Sequence, residues 1–448
     1  MDDLDAHSRE QLIALVRQLA AEIAALKQEN ERLRKDRPSG IAPAAPSYSP
    51  KPNKPKGEKK PRKKGRHHCG RHQQEPTTTV DHAVETCPDC SRRLKGGWVH
   101  RVREVIDLPD LPVEITHHRI IGRRCGVCQK NYLPKLDLSS EVIGKHRIGV
   151  RLMSLIAHMR VVCRMPVRTI RAFLKSTYSL HVSNGEIVNL LNAVAKKGKT
   201  SYDALKEGLR SSSSVNADET GFRQDGVNGQ VWVFCTPTIR YFKRDPSRSH
   251  AVPESVLGEH YNGVICSDFY AGYNYHLGEH QRCWSHYFRT LHELKTAYPD
   301  HKRLIAWAAV VHALYKRACN FKSDNRRERV LARGRYQHQL EELAKPWVDA
   351  DVPFRNLARR IINFSSEMFT FVEHPDVSPD NNAAERAIRP AVIYRKVTGG
   401  TRSDTGSETF STLMSLFGTW QLTTTNPAEN CRIMLTAATP LETSSHQE

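Results

Sequence analysis

The chain has 448 residues, room for two or three domains with cores of their own. Its 68 Lys and Arg against 48 Asp and Glu leave a formal net charge of +20, which favours a polyanionic partner bound with release of counterions. No apolar run approaches the roughly eighteen residues of a membrane span, and the first thirty residues are heavily charged, so no membrane partner and a cytoplasmic location are expected.

Leu12, Leu19, Leu26 and Leu33 recur every seven residues, with Val16, Ile23 and Asn30 as the second seam. Leu at d and β-branched residues at a predict a parallel two-stranded coil over 1–36, so a homodimer or higher oligomer is expected. Glu22 with Lys27 and Glu29 with Arg34 supply the flanking g–e charge pairs. A single amphipathic helix lying on the protein's own body gives the same pattern. Residues 37–68 lose periodicity and turn rich in Pro and Lys, a linker. Lys59, Lys60, Arg62, Lys63 and Lys64 lie in its basic run, suited to sequence-blind phosphate contact.

Eleven Cys in a chain without a leader point to metal ligation or free thiols rather than disulfides. Cys87-Pro-Asp-Cys90 and Cys125-Gly-Val-Cys128 are two knuckles whose four thiolates can close a tetrahedral site around one structural Zn²⁺. Trp98 to Ile106 and Val113 to Ile121 could pair as a hairpin between them, making 69–138 a zinc-ribbon-like module. A thioredoxin-like redox pair is the alternative, and no βαβ context supports it. Cys69 with His67, His68 and His72 offers metal-ligand types as well, though a plain flanking segment gives the same residues.

Residues 139–209 are helical. Leu152, Leu155, Ile156 and Met159 keep helical spacing, and Pro166 opens a second helix with Val167, Ile170, Phe173 and Leu174 on one face. Ser183-Asn-Gly-Glu186 is a capping box stapled by Val182 and Ile187; Leu190, Leu191 and Val194 would bury the third helix. With Arg164, Arg168 and Arg171 nearby, this resembles a helix-turn-helix for reading DNA. An ordinary helical bundle shows the same apolar pattern.

After Leu209 the pattern changes to strands. Val215 to Asp218, a hairpin of Gln230–Cys235 with Ile239–Lys243, a helix over Val252–Leu257 and the run Gly263–Asp268 give the strand order of a ribonuclease-H-like fold, with acids ending the first and fourth strands. Asp218 and Asp268 are 50 residues apart, and Glu385 follows Asp268 by 117, too far for a loop. A helical insertion over about 287–375 is therefore expected in a catalytic domain spanning 210–395, followed by a segment 396–448. The insertion's helices are placed at Leu304, Ile305, Ala308, Val311, Leu314 and Tyr315, at Arg327–Leu343 and at Pro353–Val372. Glu385 sits on a helix capped by Asp380 or Asn381, and Asn381, Glu385 and Arg389 share one face. Three converging carboxylates repel unless hard cations share them. Two Mg²⁺ about 4 Å apart would serve in-line phosphoryl transfer on nucleic acid. Glu219, Asp380 and Glu408 are neighbouring substitutes. Cys283 and His286 have metal-ligand spacing at the insertion's entrance, but a packed Cys and a hydrogen-bonded His give the same signal; with Asn381 they are candidates for supporting the site.

Asn216-Ala-Asp-Glu-Thr220, Ser267-Asp-Phe-Tyr-Ala-Gly272, Arg282-Cys-Trp-Ser-His286, Asp380-Asn-Asn-Ala-Ala-Glu-Arg386, Arg395-Lys396, Gly399-Gly-Thr-Arg402 and Ser415-Leu-Phe-Gly-Thr-Trp420 together resemble the DDE transposases of the insertion sequence 66 family. The resemblance extends over most of the chain, including the zinc-binding segment. It implies a ribonuclease-H-like core and Mg²⁺-dependent cleavage and strand transfer at element ends, with Asp218, Asp268 and Glu385 matching the catalytic acids. It also implies accessory proteins of the same element as partners. Terminal inverted repeats and target DNA would be the double-stranded substrates, inside a bacterial nucleoid. Arg168, Arg171, Arg389, Arg395, Lys396 and Arg402 are the further candidates for DNA contact. A zinc-containing dimeric regulator without chemistry, or a two-metal nuclease that cuts without joining, are the competing readings.

Overall fold

The structure, a computed structural model, describes residues 75–103, 105–106 and 113–437. The heptad helix expected over 1–36, the linker with Lys59, Lys60, Arg62, Lys63 and Lys64, and Cys69 with its histidines lie outside the described residues. Two units are distinguished, Met1–Leu108 and Pro109–Glu448.

In the first unit a tight turn forms at Cys87. Cys87 N donates to Arg92 O and Ser91 N to Cys87 O, each at 2.9 Å, with Ser91 in the left-handed region at φ 55°. The second unit repeats this turn at Cys125. Cys125 N donates to Lys130 O at 2.9 Å and Gln129 N to Cys125 O at 3.0 Å, with Gln129 at φ 53°. Here the turn joins the short antiparallel strands β1 (Arg123–Arg124) and β2 (Asn131–Tyr132). The described residues of Trp98–Ile106 and of Val113–Ile121 carry no strand structure. Trp98 is 86% exposed and Ile115 76%, so their apolar side chains have no surface to pleat against.

Helices α1 (Val150–Val161), α2 (Val167–Tyr178), α3 (Asn184–Lys197) and α4 (Lys199–Arg210) follow. Ser183 caps α3 by accepting a hydrogen bond from Glu186 N at 3.0 Å, and Val182 and Ile187 are buried beside the cap. Ile170, Leu174, Ile187, Leu190 and Val194 bury into the same core as the sheet, so these helices and the strands form one packed body.

That sheet has five strands in the lateral order β5-β4-β3-β6-β7. β3 (Ser214–Gly221), β4 (Gln230–Cys235) and β5 (Arg240–Asp245) form an antiparallel meander. The chain then crosses through α5 (Ala251–Leu257) to β6 (Val264–Ser267), parallel to β3, and on to β7 (His280–Arg282), parallel to β6. Val231, Trp232, Val233 and Phe234 are buried in succession, as expected of a central strand covered on both faces. Asp218 does not end its strand. Pairing with β6 stops at Asn216, but β4 continues to pair with β3 as far as Gly221.

The insertion comprises α6 (Trp284–Ala297), α7 (Lys302–Asn320), α8 (Arg326–Ala344), α9 (Arg355–Phe364) and α10 (Thr370–Glu373). It has its own core, centred on Trp284, Tyr287, Trp307, Val311, Phe354 and Phe369. Trp307 takes the inward position on α7, and Ile305 is 41% exposed instead of buried. The single helix expected over Pro353–Val372 breaks at Ser365–Glu367, a 3₁₀ turn where Ser365 Oγ donates to Glu341 and Ser366 O accepts from Arg333.

Three helices close the body: α11 (Asn382–Thr398), α12 (Asp404–Trp420) and α13 (Pro427–Thr436). α12 lies along the outer edge of β5. Thr419, Ser415 and Ser411, one turn apart, accept from the backbone N–H groups of Arg240 (3.0 Å), Phe242 (2.7 Å) and Arg244 (3.0 Å). These donors face away from β4 and would otherwise be an open edge. At the opposite edge Thr370 Oγ1 donates to His280 O and Phe371 N donates to the Gln281 side chain at 3.0 Å. Gly399 ends α11 in the left-handed region at φ 74°. Gly400, at φ 110°, leaves no room for a Cβ, which would stand 2.0 Å from Arg223 O. Among the described residues no helix is long and apolar enough to cross a membrane.

Candidate active site

Parallel pairing of β3 with β6 aligns Ser214 with Val264, Val215 with Ile265 and Asn216 with Cys266. The offset is 50 residues, the same spacing that separates Asp218 from Asp268. Each aspartate follows the last paired residue, Asn216 or Cys266, by two positions, and Asp218 feels the charge of Asp268. Each carboxylate is oriented locally: Asp218 Oδ1 accepts from Glu219 N and Asp268 Oδ1 from Tyr270 N, both at 2.9 Å.

Glu385 is brought in by Asn381. The Asn381 side chain is buried and does not cap α11; Nδ2 donates to Ala217 O at 2.7 Å, while Oδ1 accepts from Asn216 Nδ2 at 3.0 Å. Asp380 Oδ1 takes the capping role by accepting from Asn382 N at 3.0 Å. Asn216 and Asp218 share a face of β3, and Asn381 and Glu385 lie one turn apart on α11. The asparagine contact therefore carries Asp218 and Glu385 toward each other. Asp218 responds: burial, then the charges of Glu219, Asp268 and Glu385, push its carboxyl up to about 7.

Among the described residues, Cys283, His286 and Glu385 form one group of ligand-type atoms within 4.8 Å of one another, and Glu279, Glu373 and His374 another. Arg333 bonds to both Glu279 and Glu373, which makes the second group a neutralised ion network. In the first, the Cys283 thiol is pushed up by burial and its sulfur accepts from Asn381 N at 3.1 Å, so it braces the start of α11. Asp218 and Asp268 are not drawn into a group that tight. Glu385 Oε1 instead leans toward His286 Nδ1 (3.7 Å) and Arg289 (3.6 Å), with no hydrogen-bond partner in the buried position it occupies. An all-carboxylate donor set, one acid whose pKa is raised by burial and by its acidic neighbours, and an unsatisfied buried oxygen fit hard divalent cations.

Of the substitutes, Glu219 points to the other face of β3, where it bonds to Arg248 at 2.7 Å and to Tyr273 at 2.7 Å. Glu408 is exposed on α12. Arg168 and Arg171 are exposed on α2, Arg389 and Lys396 on α11, and Arg402 beyond it. Arg395 is half-buried and donates to Gly221 O, bracing the end of β3. Cys87 and Cys90 lie in one unit and Cys125 and Cys128 in the other, all with free thiols. Backbone N–H groups of the turn lower the Cys87 pKa, and a hydrogen bond with Tyr132 lowers that of Cys128.

The residue that sequence reasoning left without a role is Arg282. It is buried at the end of β7 and donates to Asp268 O at 3.0 Å, Asn274 Oδ1 at 2.6 Å and Glu367 of the insertion. It fixes the backbone that carries Asp268 and ties it to the inserted helices. An arginine inside a short polar strand was the available signal.

These features define a mixed α/β protein with Asp218 inside β3, Asp268 just past the parallel strand β6, and Glu385 on a helix that Asn381 ties to β3. The family model described as Transposase IS66 family matches residues 145–409, and the chain belongs to that family. The match includes Asp218, Asp268 and Glu385 and begins after the two Cys pairs. The chain is also 27% identical over 250 residues to the uncharacterized protein y4jO of Sinorhizobium fredii (strain NBRC 101917 / NGR234), a span of 55% of this chain and 74% of that one. Family membership supports a transposase function, an enzyme acting on DNA and the use of a divalent metal.

Proposed function

We propose that the protein cuts and joins DNA at the ends of an insertion sequence, with Asp218, Asp268 and Glu385 holding two Mg²⁺. The observation that supports this reading is that Asp218 feels the charges of Asp268 and Glu385, while Asn381 ties the helix of Glu385 to the strand of Asp218. The strand order, three antiparallel strands followed by two parallel ones with a crossover helix, supports a ribonuclease-H-like core. Bound cations would activate the attacking water or 3′-hydroxyl and stabilise the leaving oxygen. The chain's own contribution is positional. Arg282 and the Tyr270 N–H orient Asp268, and the Glu219 N–H orients Asp218.

Double-stranded terminal repeats and target DNA are the substrates in this reading, and the exposed Arg168, Arg171, Arg389, Lys396 and Arg402 are phosphate contacts. The equivalent turns at Cys87 and Cys125 support one structural Zn²⁺ held by Cys87, Cys90, Cys125 and Cys128. Oligomerisation through residues 1–36 and accessory proteins of the element complete the proposal.

The test is purified protein with Mg²⁺ and element-end DNA. Nicking and joining are expected, both abolished by Asp218→Asn with DNA binding in EDTA retained. Binding without chemistry would favour a regulator, and cutting without joining a nuclease. Cleavage that survives Asp218→Asn, Asp268→Asn and Glu385→Gln overturns the assignment of the acids.

A further inference from the structure

We infer that Arg289 is a DNA-phosphate contact that becomes available when cations draw Glu385 away, so that metal loading and DNA grip are coupled at one side chain. The inference rests on the reading of the three acids as cation ligands.

Arg289 belongs to α6, the first helix of the insertion, and reaches back to the catalytic helix. Its guanidinium is 3.6 Å from Glu385 Oε1, with a side chain 55% exposed. That separation is beyond a good hydrogen bond, and Glu385 Oε1 has no hydrogen-bond partner. Among the described residues Arg289 donates no hydrogen bond, so its fork of five donors is uncommitted. Arg248 and Arg282, by contrast, are engaged. Arg248 makes two bonds to Glu219 and stacks on Tyr270, and Arg282 bonds to Asp268 O, Asn274 and Glu367. Arg289 is thus a half-exposed cation held at the site by one loose Coulombic partner.

Glu385 has two alternatives. Its Oε1 lies by His286 and Arg289, while its charge also reaches Asp218. With cations its charge is claimed by the metal side of the site, and Arg289 loses its counter-ion. A guanidinium left facing a cation site then favours a bidentate phosphate between them. Binding linkage makes the effect reciprocal: cations strengthen DNA binding through Arg289, and DNA strengthens cation binding.

The experiment uses the full chain, a short fluorescein-labelled DNA duplex, and either EDTA or Ca²⁺, which occupies oxygen sites without the ligand geometry of Mg²⁺. In Ca²⁺, Arg289→Gln is expected to weaken duplex binding about tenfold, the worth of one charge-assisted contact, and to reduce the salt slope by about one ion. In EDTA the variant and the parent should bind alike. Without DNA, Arg289→Gln should bind Ca²⁺ more tightly than the parent, read by the thermal shift, because a competitor for Glu385 is gone. Arg289→Lys should keep the salt slope. Equal loss in Ca²⁺ and EDTA, or no loss in either, overturns the inference. Asp218→Asn separates the two levels. If it abolishes the cation response while Arg289→Gln changes nothing, the acids stand and the role of Arg289 falls. If the parent shows no cation response at all, the acid site itself falls.

Discussion

Asn381 donates a hydrogen bond to the carbonyl oxygen of Ala217, the residue before Asp218, across 164 residues of sequence. One amide thereby sets the distance between a strand that carries one acid and a helix that carries another. Asn381→Ala should leave Ala217 O and the Asn216 amide unpaired and cost about 2 kcal/mol of stability. Cleavage should fall further than stability predicts, on the order of a hundredfold, because Glu385 loses its position. Assays well below the melting temperature check this; full activity there would show that Asn381 merely packs.

Asp218 makes the site costly to build. Its carboxyl is held up to about 7 in the folded protein, against roughly 3.9 in an unfolded chain. A raised folded value means that stability is fully present below pH 4 and is lost as pH rises through 7. Asp218→Asn should therefore melt higher than the parent at pH 8 without divalent cation, by about 2–4 kcal/mol, and equally near pH 4. Added Mg²⁺ should stabilise the parent and not the variant. Calorimetry at the two pH values decides, and a less stable variant at pH 8 would contradict the crowding of the acids.

Acid should weaken the fold from a different residue. Burial pushes the imidazole of His280 on β7 down to about 4, and its Nε2 faces His276 O at 2.9 Å. Its folded value is depressed, so the stability from the neutral ring is present above about 6.5 and is lost as pH falls toward 4. The loss should reach roughly 3 kcal/mol. His280→Gln, which cannot titrate, should flatten the unfolding midpoint between pH 6.5 and pH 4 if this ring is responsible.

Purified without chelator, the chain should carry one Zn²⁺ per copy. Cys87→Ser and Cys125→Ser should each abolish it, because a site closed by four thiolates does not survive the loss of one. Elemental analysis of the parent and both variants checks this. Zinc retained at full stoichiometry in either variant would show that the two turns serve separate ends.

Much of this architecture was legible in the residues. The apolar runs at Val215, Val231–Cys235 and Val264–Ser267 marked three strands, and the 50-residue spacing of the aspartates is the strand register itself. β7 was missed because His280, Gln281 and Arg282 are polar residues buried by hydrogen bonding, which apolar periodicity does not register. Asp380 and Asn381 were both open as the cap because a cap and a cross-element bridge can use the same side-chain oxygen; the packing assigns the cap to Asp380 and the bridge to Asn381.

The hydroxyls of α12 have a consequence for how the chain is made. They belong to residues that shield the rim of a strand laid down some 170 residues earlier. A copy interrupted before Asp404 would emerge with that rim bare and ready to zip onto another broken copy. Disabled genes of this kind would then yield clumping fragments in place of inert monomers, and only a chain read through to its closing helices stays single-minded about its fold.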